Sequence, residues 1–320
     1  MLAYMRLAVG LAFAALAGLA ATGALADDTV RIGLPTKAYW PTIISETAVR
    51  QKLFAKEGIK AELTVYRGGG EAFEGLAAGA ADVIFDAPSL VAAGVTKGIQ
   101  SKLVTCGALA YYGWHLMVPT GSKITKVSEL DGKKVGITSA GSGTDLLALW
   151  TIQDRKINFT RVPLGGGGLV PNLLSGNVDA IVLYSPLSFQ VMQSKQAISL
   201  IDYGTAVPPH LNGGWIATDK MIKDKPQLVQ RTVNAIYGAL AYLRNNREAA
   251  IKMIAEIDEI PPAVAAAEYE GNILKLSADG EIKREWVARA LELAALGGMK
   301  DLAPADQIFV TNFKPVPTRP

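Results

Sequence analysis

Two fifteen-residue stretches constrain this chain more than any other feature. LAAGAADVIFDAPSL at Leu76–Leu90 and LLSGNVDAIVLYSPL at Leu173–Leu187 share one pattern: a Gly, an Asp three residues later, an apolar strand, then a Pro opening a helix. The offset between them is 97 residues at the Gly and Asp and 98 at the Pro. A chain built twice over from the same strand-to-helix unit is the natural reading, and the alternative is that two such turns reuse the same residue types.

The surrounding pattern supports duplication. Val30–Leu34 reads as a buried strand, Ile43, Val49, Leu53 and Phe54 fall on a helical face that Gly58 closes, and Ala61–Tyr66 alternates as a strand. Val83–Phe85, Leu103–Ala110, Trp114–Val118, Val135–Thr138, Arg161–Leu164 and Ala180–Tyr184 read as further strands, with helices between most of them. Ile198–Asp202 and Gly213–Thr218 read as the close of the second unit, and the pattern is helical from Pro226 onward. Alternating strands and helices predict the α/β class, with mostly parallel sheets flanked by helices.

The N-terminus reads as a secretory leader. Met1–Arg6 is short and basic, Leu7–Gly23 is rich in Ala and Leu, and Ala24-Leu25-Ala26 supplies a small-residue cleavage site. The leader holds one Arg and no acid, so removing residues 1–26 takes the net charge from +3 to +2 over the remaining 294 residues. So weak a charge argues against a nucleic-acid partner. Cys106 is the single cysteine, which permits no intrachain disulfide. No cysteine follows the cleavage site to carry a lipid, so the expected location is the periplasm, in freely diffusing form.

Asp131–Asp145, DGKKVGITSAGSGTD, runs from a Gly turn through a strand to a loop of small residues and a helix start. Ser142 or Thr144 is suited to cap that helix, whose first-turn N–H groups would then face a carboxylate, sulfonate or similar oxyanion. A tight strand-to-helix turn with no ligand is the competing reading. Gly141-Ser142-Gly143 does not extend to a dinucleotide fingerprint, because Leu146 stands where the third Gly belongs, and no phosphate-cradling GxxxxGK[ST] occurs. His115 and His210 lack metal-ligating company and read as structural, and neither a metal nor a cofactor is expected. Cys106, inside the apolar LVTCGALA, reads as a buried, inert thiol.

The chain resembles the periplasmic substrate-binding proteins of ABC transporters, of the sulfonate, taurine and nitrate type that also includes binding proteins for the pyrimidine precursor of thiamine. The resemblance is carried by LFAKEGIKAEL (Leu53–Leu63), GLAAGAADV (Gly75–Val83), ITKVSELDGKKVGITSAGSGT (Ile124–Thr144) and LLSGNVDAIVLYSPL. It implies a two-lobed, type II binding-protein fold with two hinge crossovers. The first lobe is expected over residues 27–113 and 218–320 and the second over 114–217. It further implies a monomer that delivers its solute to an inner-membrane ABC permease, without catalysis. Same-fold enzymes and sensory binding proteins are the alternatives, and a neutral pyrimidine is the alternative to a small organic anion as solute.

In such a fold the ligand lies outside the carboxyl ends of the strands. The family pattern puts contacts at Tyr39, Trp40, Ser89, Ser142, Thr144 and Tyr184. The residues themselves suggest that Ser142, Gly143 and Thr144 donate to an oxyanion, with Ser89 reaching across from the other lobe. Tyr39, Trp40, Tyr184 and Trp215 would sandwich an organic body, each with core packing as the alternative. Lys37 in the first loop and Arg67 beside the triple Gly are the candidate cations, with a solvated surface charge as the alternative.

Overall fold

The computed structural model describes residues 28–316, so the expected leader, residues 1–26, lies outside the described residues. Ten strands are found among them: β1 (Asp28–Leu34), β2 (Ile59–Val65), β3 (Val83–Asp86), β4 (Ser101–Ala108), β5 (His115–Pro119), β6 (Lys134–Ile137), β7 (Thr160–Pro163), β8 (Ala180–Leu183), β9 (Ala197–Asp202) and β10 (Gly213–Thr218). They form two five-stranded sheets, ordered β2-β1-β3-β10-β4 and β7-β6-β8-β5-β9. In the first, β1 is parallel to β2 and β3, while β10 is antiparallel to both β3 and β4. In the second, β6 is parallel to β7 and β8, while β5 is antiparallel to both β8 and β9. Four of five strands in each sheet therefore run one way, and the inverted strand is the first one laid down after the chain crosses from the other sheet.

That inversion corrects one expectation. Gly213–Thr218 does not close the second unit: it inserts into the first sheet, with Trp215 opposite Phe85 on one side and Thr105 on the other. A strand buried on both faces carries no polar alternation that would reveal its sheet. Its neighbours decide. The two crossover segments are also bonded to each other, through His210 N–H to Leu109 O at 2.8 Å and Asn212 N–H to Ala108 O at 3.0 Å.

The repeated pattern has a counterpart in the backbone. Gly79 and Gly176 both take left-handed φ, at +72° and +75°, as the chain leaves a helix. Three residues on, the Asp82 carboxylate accepts the Arg31 N–H at 2.9 Å and the Asp179 carboxylate accepts the Lys134 N–H at 2.8 Å. Each Asp also donates its own N–H to the carbonyl of that same residue, at 2.8 and 2.9 Å. Thus the Asp of each repeat satisfies the neighbouring strand where the central strand begins, in the same position of each sheet. A device of this kind requires an Asp at a fixed distance from a helix-ending Gly, which is what the sequence repeats.

The C-terminal helices join the sheets. Pro226–Asn245 packs on the helix Trp40–Arg50, where Ile236 and Leu240 line one crevice with Trp40 and Ile44. Pro262–Gly271 packs on Leu187–Gln193 beside the second sheet. Arg284–Leu296 touches both Pro88–Thr96 and Gly143–Arg155, one helix from each half.

Candidate functional site

The carboxyl ends of β1, β2 and β3 face those of β6 and β8 across a gap of about 40 Å³. That is room for about three waters, so admitting an organic solute requires the facing loops to part. Loops from the two halves meet directly at the rim. Gly166 donates its N–H to the Arg67 carbonyl at 2.8 Å, and Gly70 donates to the Ser139 hydroxyl at 3.2 Å. A Cβ on Gly70 would lie 2.4 Å from the Ala140 carbonyl oxygen, so only glycine allows this backbone approach.

Five aromatic residues, Tyr39, Phe85, Tyr111, Trp114 and Tyr184, line the gap. Pro41 sets the start of the helix Trp40–Arg50, and Tyr39, extended at its N-cap, turns its ring into the gap. Its centroid lies 5.2 Å from Tyr184, 5.7 Å from Trp114 and 6.1 Å from Phe85. Trp114 and Tyr111 come from the first crossover and lie 5.3 Å apart. Trp114 also touches Tyr184 at 5.4 Å, and its ring covers Gly143, where a Cβ would meet it at 3.0 Å. Such tilted and edge-on contacts add to what area burial contributes.

The second half supplies hydroxyls and amides. Ser142 caps the helix Gly143–Arg155, accepting from Asp145 N–H at 3.4 Å and donating to the Ser139 carbonyl at 2.7 Å. Thr144 accepts the Thr138 N–H at 2.9 Å, and the Thr138, Ser142 and Thr144 hydroxyls lie within 3.0 Å of one another. Arg161 pairs with Asp145 and secures the turn from outside. The hydroxyls are thus committed to shaping the loop. The first-turn N–H groups of Gly143 and Thr144 also line the gap, where no carbonyl within the helix can reach them, and the Thr36, Tyr111 and Tyr184 hydroxyls at the same gap have no partner either.

No cationic side chain is among the described residues that line the gap. Lys37 turns outward to Glu259 at 2.6 Å, exposed on both sides of the pair. Arg67 is 72% exposed beside Glu71; its carbonyl bonds across the rim to Gly166, and its side chain lies at the rim beside Gly165. The ionisable carboxyl on the wall is Asp86, 5% exposed. Its Oδ1 accepts the Ala87 N–H at 2.8 Å, its Oδ2 has no partner, and burial lifts it to about 7. Asn212, from the second crossover, donates to the Ala110 carbonyl at 2.7 Å and leaves its Oδ1 unbonded.

Of the residues the sequence singled out, Tyr39, Ser142, Gly143, Thr144 and Tyr184 come together at the gap. Trp40 packs the other way, 4.5 Å from Phe85, and with Trp215 lines a separate crevice towards the C-terminal helices. Consecutive residues at an extended-to-helix junction point to different sides, so only one of Tyr39 and Trp40 can face the gap. Ser89 is 1% exposed and away from the lining, with its Oγ unbonded. Phe85, Asp86, Tyr111, Trp114 and Asn212 were not singled out. Asp86 was within reach, because it stands two residues before Pro88 as Tyr184 does before Pro186.

A protein family described as NMT1/THI5 like matches residues 46–250. The chain belongs to that family. A Bacillus subtilis (strain 168) protein, provisionally named an aliphatic sulfonates-binding protein, is 27% identical over 81% of this chain and 78% of its own. The alkanesulfonate-binding protein SsuA of Xanthomonas axonopodis pv. citri, solved with MOPS bound, superposes with a TM-score of 0.76 at 18% identity, covering 88% of this chain and 98% of that one. The desulfurization enzyme DszB superposes at 0.60 with 16% identity, covering 89% and 97%. The architecture is therefore the periplasmic binding protein fold, as the sequence resemblance implied, and that fold hosts both binding proteins and an enzyme.

Proposed function

We propose that this protein is the periplasmic solute-binding component of an ABC importer. The leader, residues 1–26, would export it. Residues 27–113 with 218–320 and residues 114–217 would act as two lobes of a monomer, with β10 assigned to the sheet of the first. The lobes clamp a small organic solute and present the closed form to a membrane permease. The observation that carries this reading is the gap itself, where rings from both halves and the amides of Gly143 and Thr144 converge between two sheets of matching topology.

The solute class that suits these walls is a small organic acid, a sulfonate or carboxylate, with a flat or apolar body. Its oxyanion would take the Gly143 and Thr144 N–H groups at a helix N-terminus, and its body would lie against Tyr39, Trp114 and Tyr184. Binding without catalysis is favoured by the state of Cys106, which is fully buried, with its thiol pushed up to about 12 by desolvation. A pyrimidine, the second reading, has the unbonded oxygens of Asp86 and Asn212 in its favour, as acceptors for ring and amino N–H groups.

A thermal-shift screen over sulfonates, carboxylates and pyrimidines tests the reading. Saturation at a hundredfold excess over Kd stabilises by about 2.7 kcal/mol, a rise of several degrees in Tm. The shift is expected with an organic acid and is expected to be lost in Tyr39→Ala. A hit whose affinity is unchanged in Tyr39→Ala would remove the site from this gap.

A further inference from the structure

The helix Pro262–Gly271 lies where the first crossover meets the second half. A Cβ on Gly271 would lie 2.9 Å from the Phe189 ring, and one on Gly113 of the crossover would lie 2.7 Å from Ser185 and 2.8 Å from Phe189. Ser188 donates to the Gly113 carbonyl at 2.6 Å. A buried polar bridge crosses this seam: the Asn272 amide donates to the Ser185 hydroxyl at 3.0 Å and to Glu268 Oε1 at 2.8 Å. Glu268 is fully buried and its Oε2 has no partner, while the buried Asp258, at the end of the helix Arg247–Asp258, has none for either oxygen. The cations around the two carboxyls are engaged elsewhere: Lys37 with Glu259 at 2.6 Å, Arg247 with Glu270 at 2.9 Å, Arg244 with the Leu276 carbonyl at 3.1 Å, and Lys275 over the Tyr112 ring at 5.2 Å. The remaining charges of the helix Arg247–Asp258, Glu248, Lys252 and Glu256, are exposed, and the helix Leu187–Gln193 carries no ionisable side chain. On the gap side the pair is felt by the Tyr39 and Tyr184 phenols.

We propose that Glu268, Asn272 and Ser185 form a proton-dependent joint, which straps the helix Pro262–Gly271 to the second half while Glu268 is neutral and lets go when it ionises. An ionised Glu268 in this seam is a buried anion without a counterion, beside a second carboxyl and at a helix end whose dipole repels it. Water relieves that charge, and it reaches Glu268 only when the helix parts from Ser185. In the closed joint burial holds the Glu268 proton up to about 8, whereas in the opened joint the carboxyl titrates near its ordinary value, so opening releases a proton. Opening is therefore favoured as pH rises between those two values, by up to about tenfold per pH unit, and levels off above about 8. The Asp258 carboxyl, raised by the same burial and by Glu268 itself, acts in the same direction.

Amide hydrogen exchange on the full chain, corrected for the intrinsic rate at each pH, provides the test and needs no solute. The segments to follow are Ser185–Gln193 and Pro262–Gly271, with the strand Val83–Asp86 reporting on opening of the whole molecule. Between about pH 5.5 and about pH 7.5 the wild type is expected to lose about tenfold or more of its protection in both segments, while remaining less protected there than in the strand. Glu268→Gln, which keeps an acceptor for Asn272 and cannot ionise, is expected to lose about tenfold less over the same range. Asn272→Ala, which removes the bridge and leaves the carboxyl in place, is expected to raise exchange in both segments already at the lower pH. A loss of protection as large in Glu268→Gln as in the wild type would overturn the role of the Glu268 proton. Protection in the two segments equal to that of the strand would show that the joint does not open by itself, and unchanged exchange in Asn272→Ala would show that the bridge does not hold it.

Discussion

Raising the pH from about 5 to about 8 is expected to destabilise the folded protein by up to ~1.4 kcal/mol per pH unit for each of three buried carboxyls, those of Asp86, Asp258 and Glu268. Desolvation comes first among the causes in all three, lifting Asp86 to about 7 and the other two to about 8. Asp258 and Glu268 also repel each other, and both lie in the last turn of a helix, Arg247–Asp258 and Pro262–Gly271, where the backbone dipole disfavours negative charge. Asn272 and Ser185 bond to Glu268 or lie close to it and offset part of its shift, and Lys37 does the same for Asp258. Because the folded-state values lie above the unfolded ones, the folded chain retains protons that the unfolded chain has already lost. The contribution of these three groups is therefore fully present at and below the unfolded pKa of about 4 and is lost progressively as pH rises to the folded values, while the buried His115 and His210, whose pKa values are lowered by desolvation, act in the opposite sense. Urea unfolding at fixed ionic strength across that range checks this. Glu268→Gln is expected to flatten the slope by about one group's share, ~1.4 kcal/mol per pH unit. A pH slope that is the same in Glu268→Gln as in the wild type would mean that this carboxyl is not held neutral by burial, since the opposing contributions of His115 and His210 are common to both proteins.

Replacing Trp114 by Ala is expected to cost about 3–5 kcal/mol of folding stability and to abolish solute binding. The ring is 6% exposed and packs against Tyr39 from the first half, Tyr111 from its own crossover, and Tyr184 and Gly143 from the second. Few side chains touch both halves and the crossover at once. The crossover also bonds through the Trp114 carbonyl to Tyr203 N–H at 2.9 Å, so the surrounding backbone is held and cannot collapse into the space left behind. Trp114→Phe keeps a ring face towards Tyr39 and Tyr184 and is expected to lose about half as much or less. A loss below about 1 kcal/mol in Trp114→Ala, measured by urea unfolding, would show that the ring does not hold the two halves together.

The sequence made the architecture legible where local chemistry alone determines it. The Gly-x-x-Asp repeat marked the two central strands, because a left-handed helix end and a carboxylate on the neighbouring strand's N–H both depend on residue type at short range. The Ser142–Thr144 turn was legible for the same reason, as a cap followed by a helix. What escaped depends on long-range partners. β10 looks the same whichever sheet takes it. Lys37 meets Glu259 across most of the chain, and no local pattern foretells that pair, whereas Arg67 and Glu71 stand four residues apart, a spacing that already suggests a pair on a helical surface. Asp86 was legible as a turn residue, but its significance lies in having no partner, and that appears only once the surrounding elements are in place. Trp114 was read as part of a strand for its apolar character, although its function in the fold is to join three segments distant in sequence.

The central claim is that the two halves clamp a solute in the gap between Tyr39, Trp114, Tyr184 and the Gly143–Thr144 amides. A crystal structure of the protein with the tightest solute from the screen tests it most directly. The account predicts the solute body against those three rings, with its oxyanion within hydrogen-bond distance of the Gly143 and Thr144 nitrogens. A solute seated on an outer face of either sheet, with those rings and amides untouched, would contradict it.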